Sequence, residues 1–345
     1  MNPPRIVLCS LNYNAGKAEY ILRRHIESIC SQDYSNMEIV FINNGSTDNT
    51  KFLIEQFVAE FCNKEQRRTC VIDLPKNLGV ATGYQMCYMV AKRLNADYIA
   101  TINNDVILKD NNVVSRLISV IKRSEKVGAL QGILLTPESF IDSAGYIMSN
   151  LGDYYKICHR KTLLECRNLF KRYVIPVTYT HAAFSLYSME ALRTSGDVLY
   201  FPYFFLFGDD YEVGVRLWRK GFVAVAVYEV VGIHIGSMTI KINPELVKDY
   251  EYWSMVADMV INKLIYLKNP IYRIIAITWK IAESLIRRDS KEILGIVNSI
   301  IISRKLKKIL KNKNIPLSLS VEPRITIPLK IKVVRVLKRF YEIRT

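Results

Sequence analysis

Apolar and polar positions follow two alternating periods over the first hundred residues. Short β-branched runs at Arg5–Leu11, Glu38–Ile42, Thr69–Leu74 and Tyr98–Ile102 predict strands. The stretches Lys17–Cys30, Asp48–Cys62 and Val80–Leu94 between them predict helices. Strand starts recur at about 30 residues, the spacing of βαβ units in a parallel sheet with covering helices. The alternation then breaks. Ala129–Leu135 and Val174–Tyr187 predict further strands around a segment containing Gly145 and Gly152, and an aromatic run, Phe201–Phe207, ends at Gly208-Asp209-Asp210. The helix predicted there has Asp209 as its cap with Glu212 three residues on, Arg219-Lys220 at its negative end and Gly221 at its stop. Phe222–Val231 predicts a strand leading to His234, and beyond Pro244 the pattern is helical, aromatic and increasingly basic.

In open parallel sheets, ligands sit beyond the carboxyl ends of the strands. Those four ends read Asn12-Tyr13-Asn14, Asn43-Asn44-Gly45-Ser46-Thr47-Asp48, Lys76-Asn77-Leu78-Gly79 and Asn103-Asn104-Asp105. Asn, Gly and Asp make turns anyway, so one such end carries no information. Four in register, the last with an acid, point to a polar ligand across the top of the sheet.

Five features, in this order and spacing, resemble family 2 glycosyltransferases of the GT-A fold, in the style of rhamnosyltransferase-like members. They are Asn43 to Asp48, Asn77 to Gly83, Asn103-Asn104-Asp105-Val106, Phe207-Gly208-Asp209-Asp210 running on to Arg216, and His234. The resemblance covers roughly residues 5–236. It implies an α/β catalytic domain with a mostly parallel central sheet over residues 1–240, followed by a helical, basic C-terminal region over 241–345.

The resemblance also implies roles. Asn12, Asn14, Asn43, Asn44, Ser46, Asn77, Gly79, Gly83, Asn103 and Asn104 would bind a nucleoside-diphosphate sugar donor. Asn43 and Asn44 stand where acids are commoner, and an amide still offers a donor and an acceptor to a base edge. An Asx-turn before the next helix is the structural alternative. Gly79 lets backbone approach a ligand, and Gly83 reads equally as a packing residue. The residues 77–83 are not a dinucleotide fingerprint, since GxGxxG is absent. Asp105 and His234 would hold a divalent cation, Mn²⁺ or Mg²⁺, and a nitrogen ligand suits Mn²⁺ better. Asp210 would be the base that deprotonates the acceptor hydroxyl, with Asp209 beside it, in an inverting transfer. His181 and Arg216 are weaker acceptor-side candidates. Arg216 can alternatively hold the acidic loop or lie on the helix surface.

Composition narrows the classes. The chain has 345 residues, half of them apolar, and a formal charge of +16. From Arg287 onward stand 16 Lys or Arg against four acids, so most of the excess lies in the last sixth of the chain. A polyanionic partner should meet that part. With Tyr250, Tyr252, Trp253, Tyr266, Tyr272 and Trp279 as interfacial aromatics, it reads as a membrane-surface appendage bringing a glycan or lipid-linked glycan acceptor within reach. A soluble basic tail or an oligomer contact is the alternative.

Seven cysteines without a CxxC pair argue against a disulfide framework and a cysteine-built zinc site, and favour a reducing compartment. Met1-Asn2-Pro3-Pro4-Arg5 runs straight into a strand, so no leader is expected, and the reading is a cytoplasmic protein, peripheral on the membrane face. A nucleotidyltransferase would want a Gly-rich, basic phosphate loop where Asn12-Tyr13-Asn14-Ala15-Gly16-Lys17 stands. A non-enzymatic nucleic-acid binder would leave Asp105, Asp210 and His234 without a task, and no nucleic-acid partner is expected.

Overall fold

The computed structural model describes residues 3–149, 153–170, 172–236, 238–243, 247–260, 270–287, 290–316 and 324–325. The N-terminal alternation folds as β1 (Ile6–Asn12), α1 (Glu19–Cys30), β2 (Met37–Asn43), α2 (Thr50–Phe57), β3 (Arg68–Asp73), α3 (Val80–Arg93) and β4 (Tyr98–Asn103). β1 pairs in parallel with both β2 and β4, and β2 with β3. The register Asn12↔Asn43 and Leu11↔Asn103 brings three of the polar strand ends level.

The chain continues through β5 (Val106–Leu108), α4 (Val113–Ile121), β6 (Val127–Leu135), β7 (Ile141–Ser143), β8 (Tyr146–Ser149), β9 (Tyr154–Lys156) and α5 (Leu163–Arg167). Next come β10 (Val174–Val177), β11 (Phe184–Ser188), α6 (Met189–Thr194), α7 (Asp209–Arg219) and β12 (Val223–His234). The main path of the sheet is β10-β12-β6-β11-β4-β1-β2-β3, with β5 added on β12 and β7 on β6. β11 enters antiparallel between β4 and β6, while β12 returns parallel to β6.

Successive strand residues alternate between the two faces. Ile6 and Leu8 join the core under α1, α2 and α4, whereas Val7 and Cys9 join the core shared with α3 and α7. Both faces are thus covered, as a mostly parallel sheet requires.

Three local expectations are corrected. The run Val174–Tyr187 is two strands, because the chain leaves β12 after Val177 and re-pairs with β4 at Phe184. The turn between them carries His181. Asp209 does not cap α7: Gly208, at φ 81, is the cap and no side chain bonds there, so Asp209 is the first helical residue. Four of the seven cysteines are paired, Cys30 with Cys62 and Cys158 with Cys166. Spacing hid these pairs, since Cys30 and Cys62 meet only when the end of α1 packs beside the π-helical turn Val58–Cys62.

The C-terminal helices are α8 (Met238–Ile242), α9 (Val247–Asp258), α10 (Pro270–Arg287) and α11 (Ser290–Asn312), followed by the short strand β13 (Arg324–Ile325) on β8. Val256, Val260, Leu306, Leu310 and Ile315 are buried in the same core as α3 and α7. Part of this region is therefore built into the same core as the sheet and its covering helices. Three of its aromatics turn inward: Trp253 stacks on Phe205 at 5.1 Å, Tyr250 meets Phe207 edge-on at 4.4 Å, and the Tyr252 hydroxyl accepts from Asn298 Nδ2 at 2.6 Å. Tyr266, and the side chain of Tyr272, lie outside the described residues. No helix among the described residues is long and apolar enough to cross a membrane.

Candidate active site

A cavity of about 720 Å³ opens beyond the carboxyl ends of β1 to β4. Asn44, Asn77, Gly79, Asn103, Asn104, Asp105, His181, Asp210 and His234 all line it. Asn12, Asn14, Asn43, Ser46, Gly83, Asp209 and Arg216 do not belong to its lining, and most of them build the frame around it.

Asn14 and Ser46 knit two strand-end turns together, through Asn14 N–H to Ser46 Oγ at 3.0 Å and Thr47 N–H to Asn14 Oδ1 at 2.8 Å. Asn12 donates to Ser10 and to the Ile42 carbonyl, and Asn43 donates to Asp73 Oδ1 at 2.7 Å. A Cβ on Gly83 would stand 2.5 Å from Leu11 Cδ1, so this glycine serves close helix–strand packing.

Among the lining residues, Asn44 ties the second turn to the third, donating to Asn77 Oδ1 and accepting from Leu78 N–H. Gly79 has φ +81, and a Cβ there would lie 2.6 Å from the Phe205 carbonyl. That close approach lets Val80 N–H donate to Phe205 O at 2.7 Å, pinning the aromatic loop over the cavity. Asn104 Nδ2 is buried in the lining with no hydrogen-bond partner. A buried orphan donor is costly unless a ligand oxygen meets it.

Asp105 and His234 come together through strand register. β5 pairs antiparallel with β12 so that Val106 faces His234, which sets the preceding residue, Asp105, beside the ring. Asp105 Oδ1 lies 3.3 Å from His234 Nε2. His25, from α1, supports this turn from below, with Nδ1 2.6 Å from the Val106 carbonyl and Nε2 2.8 Å from Ser10 Oγ. Burial pushes His25 down to about 4, so it is a neutral strut.

Asp142, on the short strand β7, was not foreseen. Its Oδ2 lies 2.8 Å from His234 Nδ1, and its Oδ1 accepts from Lys156 Nζ at 2.8 Å. Engaging Nδ1 turns Nε2 toward Asp105, the arrangement by which a carboxylate orients a metal-binding imidazole. Asp142, His181 and His234 also offer ligand atoms that all lie within 4.8 Å of one another. Burial alone would lower His234, yet the hydrogen bonds its ring donates to Asp105 and Asp142 outweigh it and hold the ring up to about 9. Desolvation opposes ionisation of both carboxylates too, but the ring beside them keeps each below the usual aspartate range.

The acid on the other side is Asp210. Phe207 and Gly208 are both left-handed, at φ 66 and 81, and this double turn aims the start of α7 at the cavity. Burial pushes Asp210 up to about 6, against hydrogen bonds from the Ala182 and Tyr211 backbone N–H groups. Asp209 is driven higher, to about 8, by burial and then by the charge of Asp210. Its Oδ2 is buried without a partner, away from the cavity lining. His181 stands edge-on to both Tyr146 and His234, and burial pushes it down to about 3, so it is neutral. Its Nδ1 is buried without a hydrogen bond.

Arg216 is wholly buried and is not an acceptor contact. It pairs with Glu212 at 3.0 Å and donates to the Ser195, Val198 and Leu199 carbonyls, fastening the segment that leads into the aromatic loop. Tyr146, Tyr154, Tyr179 and Tyr211 complete the wall beside Asp210, and α9 roofs the cavity with Asp249, Tyr250, Trp253 and Asp258. These residues gather from β8, β9, the turn after β10, α7 and α9, and no local signal marked them as lining a common cavity.

The chain belongs to glycosyl transferase family 2, whose model matches residues 6–196. Over 101 residues it is 32% identical to the glycosyltransferase GlyG of Streptococcus pneumoniae serotype 4 (strain ATCC BAA-334 / TIGR4). That stretch is 29% of this chain and 30% of the relative, so most of the relative lies outside the match. Among solved structures, GalNAc-T7 with UDP, GalNAc and Mn²⁺ superposes with a TM-score of 0.51 at 14% identity, over 75% of this chain and 51% of that one. The mannosyltransferase PcManGT from Pyrobaculum calidifontis, in complex with GDP-Man and Mn²⁺, superposes at 0.48 and 12% identity, over 89% of each chain. The fold is GT-A, an α/β architecture around a mostly parallel sheet.

Proposed function

We propose that this protein is an inverting glycosyltransferase that moves a sugar from a nucleoside-diphosphate sugar to an acceptor hydroxyl on a glycan or lipid-linked glycan. The observation that carries the reading is one cavity holding Asp210 on one wall and the Asp105–His234 pair on another. Asp210, raised toward neutrality by burial, takes the proton from the attacking hydroxyl. Asn104 offers its free amide to a donor oxygen, and Asn44 and Asn77 shape the nucleotide side.

The donor set fits a divalent cation. Five aspartates line the cavity (Asp105, Asp142, Asp210, Asp249 and Asp258) against one lysine, Lys156. A diphosphate would meet net repulsion there without positive charge to offset it. Asp105 and His234 would hold Mn²⁺ or Mg²⁺, with Asp142 orienting the imidazole. Bound there, the cation would supply the charge that neutralises a departing nucleoside diphosphate. We read the site of action as the cytoplasmic membrane face, supported by the basic C-terminal region. Hydrolysis of a panel of nucleotide sugars, with Mn²⁺, Mg²⁺ or chelator, tests the proposal. One preferred nucleotide sugar turned over only with metal is expected; no cleavage of any donor under any condition would refute it.

A further inference from the structure

We propose that the outward faces of α10 and α11 form one docking surface for an anionic lipid bilayer. This rests on the membrane reading above and sharpens it, because three of the aromatics expected to touch lipid, Tyr250, Tyr252 and Trp253, are spent on the cavity roof and on α11. What the two helices expose instead is aliphatic. On α10, Ile274, Ile281 and Leu285 are exposed, at the spacing of a single helical stripe. On α11, Ile293, Leu294, Val297 and Ile301 are exposed, again along one side. Ile274 at 65%, Leu285 at 59% and Leu294 at 55% exposure belong to a set of seven exposed aliphatic residues on two consecutive helices, rather than to single scattered surface residues.

The two helices are consecutive and held together. Glu292 of α11 accepts from Ser284 Oγ at 2.8 Å and pairs with Lys280 at 3.4 Å, both on α10. The end of one stripe therefore lies beside the beginning of the other.

Charge identifies the occupant. Continuing along the same side of α11 at steps of three and four, Ile293, Val297 and Ile301 give way to Arg304, Lys308 and Lys311, all exposed, with Lys305 alongside. One face thus passes from aliphatic to cationic. Among the described side chains of both helices, the acidic one, Glu292, is engaged between them. A second copy of this face is a poor partner: aligned in parallel it sets lysines against lysines, and antiparallel it sets each cationic half on an aliphatic one. A bilayer with anionic headgroups meets both halves at once, acyl chains on one and phosphates on the other.

The location suits the chemistry. α9 lines the cavity with Tyr250 and Trp253 and bonds to α11 through Tyr252 and Asn298. Gly295 of α11 seats against Met255 of α9, where a Cβ would stand 2.1 Å from Cε. The proposed surface is therefore one helix removed from the site, so a lipid-anchored acceptor would enter from the docked side.

Flotation of the full chain with vesicles of phosphatidylcholine alone, and of phosphatidylcholine mixed with phosphatidylglycerol, tests this. Recovery with anionic vesicles should exceed that with neutral ones and fall with salt. Val297→Asp/Ile301→Asp and Arg304→Glu/Lys308→Glu should each weaken partitioning roughly tenfold or more, metal-dependent donor hydrolysis staying unchanged. Equal recovery on both vesicles, or double variants that float like the wild type, would overturn the proposal. So would a wild-type dimer that Val297→Asp/Ile301→Asp makes monomeric without any lipid binding, which would give the face to a second copy. Docking without hydrolysis of any nucleotide sugar would sink the catalytic reading and leave this surface standing.

Discussion

Replacing Arg216 by methionine removes the most heavily used side chain in the catalytic half. The guanidinium makes two contacts to Glu212, at 3.0 and 3.1 Å. It makes three more with Ser195 and Val198 through one amino group, and one with Leu199 through the other. It also lies 5.0 Å above the Phe201 ring. Both partners of the ion pair are at 0% side-chain exposure, so screening does not weaken it. Breaking a buried pair from one side costs about 3–5 kcal/mol, because the remaining charge stays in low dielectric. Here the loss also strips the Ser195, Val198 and Leu199 carbonyls of this donor, which argues for the upper end. At 2–4 °C per kcal/mol, the melting temperature should drop by roughly 6–20 °C. Urea unfolding followed by fluorescence reads this as a lower midpoint with an unchanged slope. Arg216→Lys should recover only part of the loss, since an ammonium cannot span the same fork. Glu212→Leu/Arg216→Met should be less destabilised than Arg216→Met, because neither charge then remains buried. A single variant within about 1 kcal/mol of wild type, or a double variant worse than the sum of the singles, would refute this reasoning.

Asp142→Ala should weaken Mn²⁺ binding by about 10–100-fold in calorimetry on the metal-free protein, with Asp142→Asn less affected because it can still engage the ring. If Asp142 only fills space, the two variants will bind the metal alike. Since Asp210 is raised to about 6 and the proposed base must be ionised to act, kcat/KM should fall as pH drops through that value, about tenfold per unit below it. Measured pH profiles should lose that limb in Asp210→Asn; a profile flat down to pH 5 in the wild type would contradict the assignment.

Much of the site was legible because it lies at strand ends. Asn44, Asn77, Asn104 and Asp105 sit where parallel strands stop, and the strand period announces those places whatever the loops do afterwards. His234 and Asp210 were visible from spacing within a resembling family. Residues whose meaning depends on a distant partner were not. Asp142 is one acid on a three-residue strand, and its role exists only because β12 brings a ring from 92 positions away. Arg216 sat at a plausible site position, yet Glu212 one turn earlier and three carbonyls claim it for the interior. Tyr250 and Trp253 looked interfacial because composition cannot tell a helix that meets lipid from one that roofs a cavity. Cys30 and Cys62 show the same limit, as nothing in their spacing states that a helix end and a π-turn adjoin.

In the proposed reaction Asp210 and the Asp105–His234 pair have separate tasks in one cavity. The most direct measurement takes the nucleotide sugar preferred by the wild type and compares Asp210→Asn with Asp105→Ala, reading transfer rate and calorimetric donor binding on the same samples. Asp210→Asn should lower transfer by roughly 10²–10⁴-fold with donor affinity little changed, the signature of losing a base. Asp105→Ala should weaken donor binding and Mn²⁺ dependence together. If Asp210→Asn abolishes donor binding while Asp105→Ala leaves metal dependence untouched, the division of labour assigned to these residues is wrong.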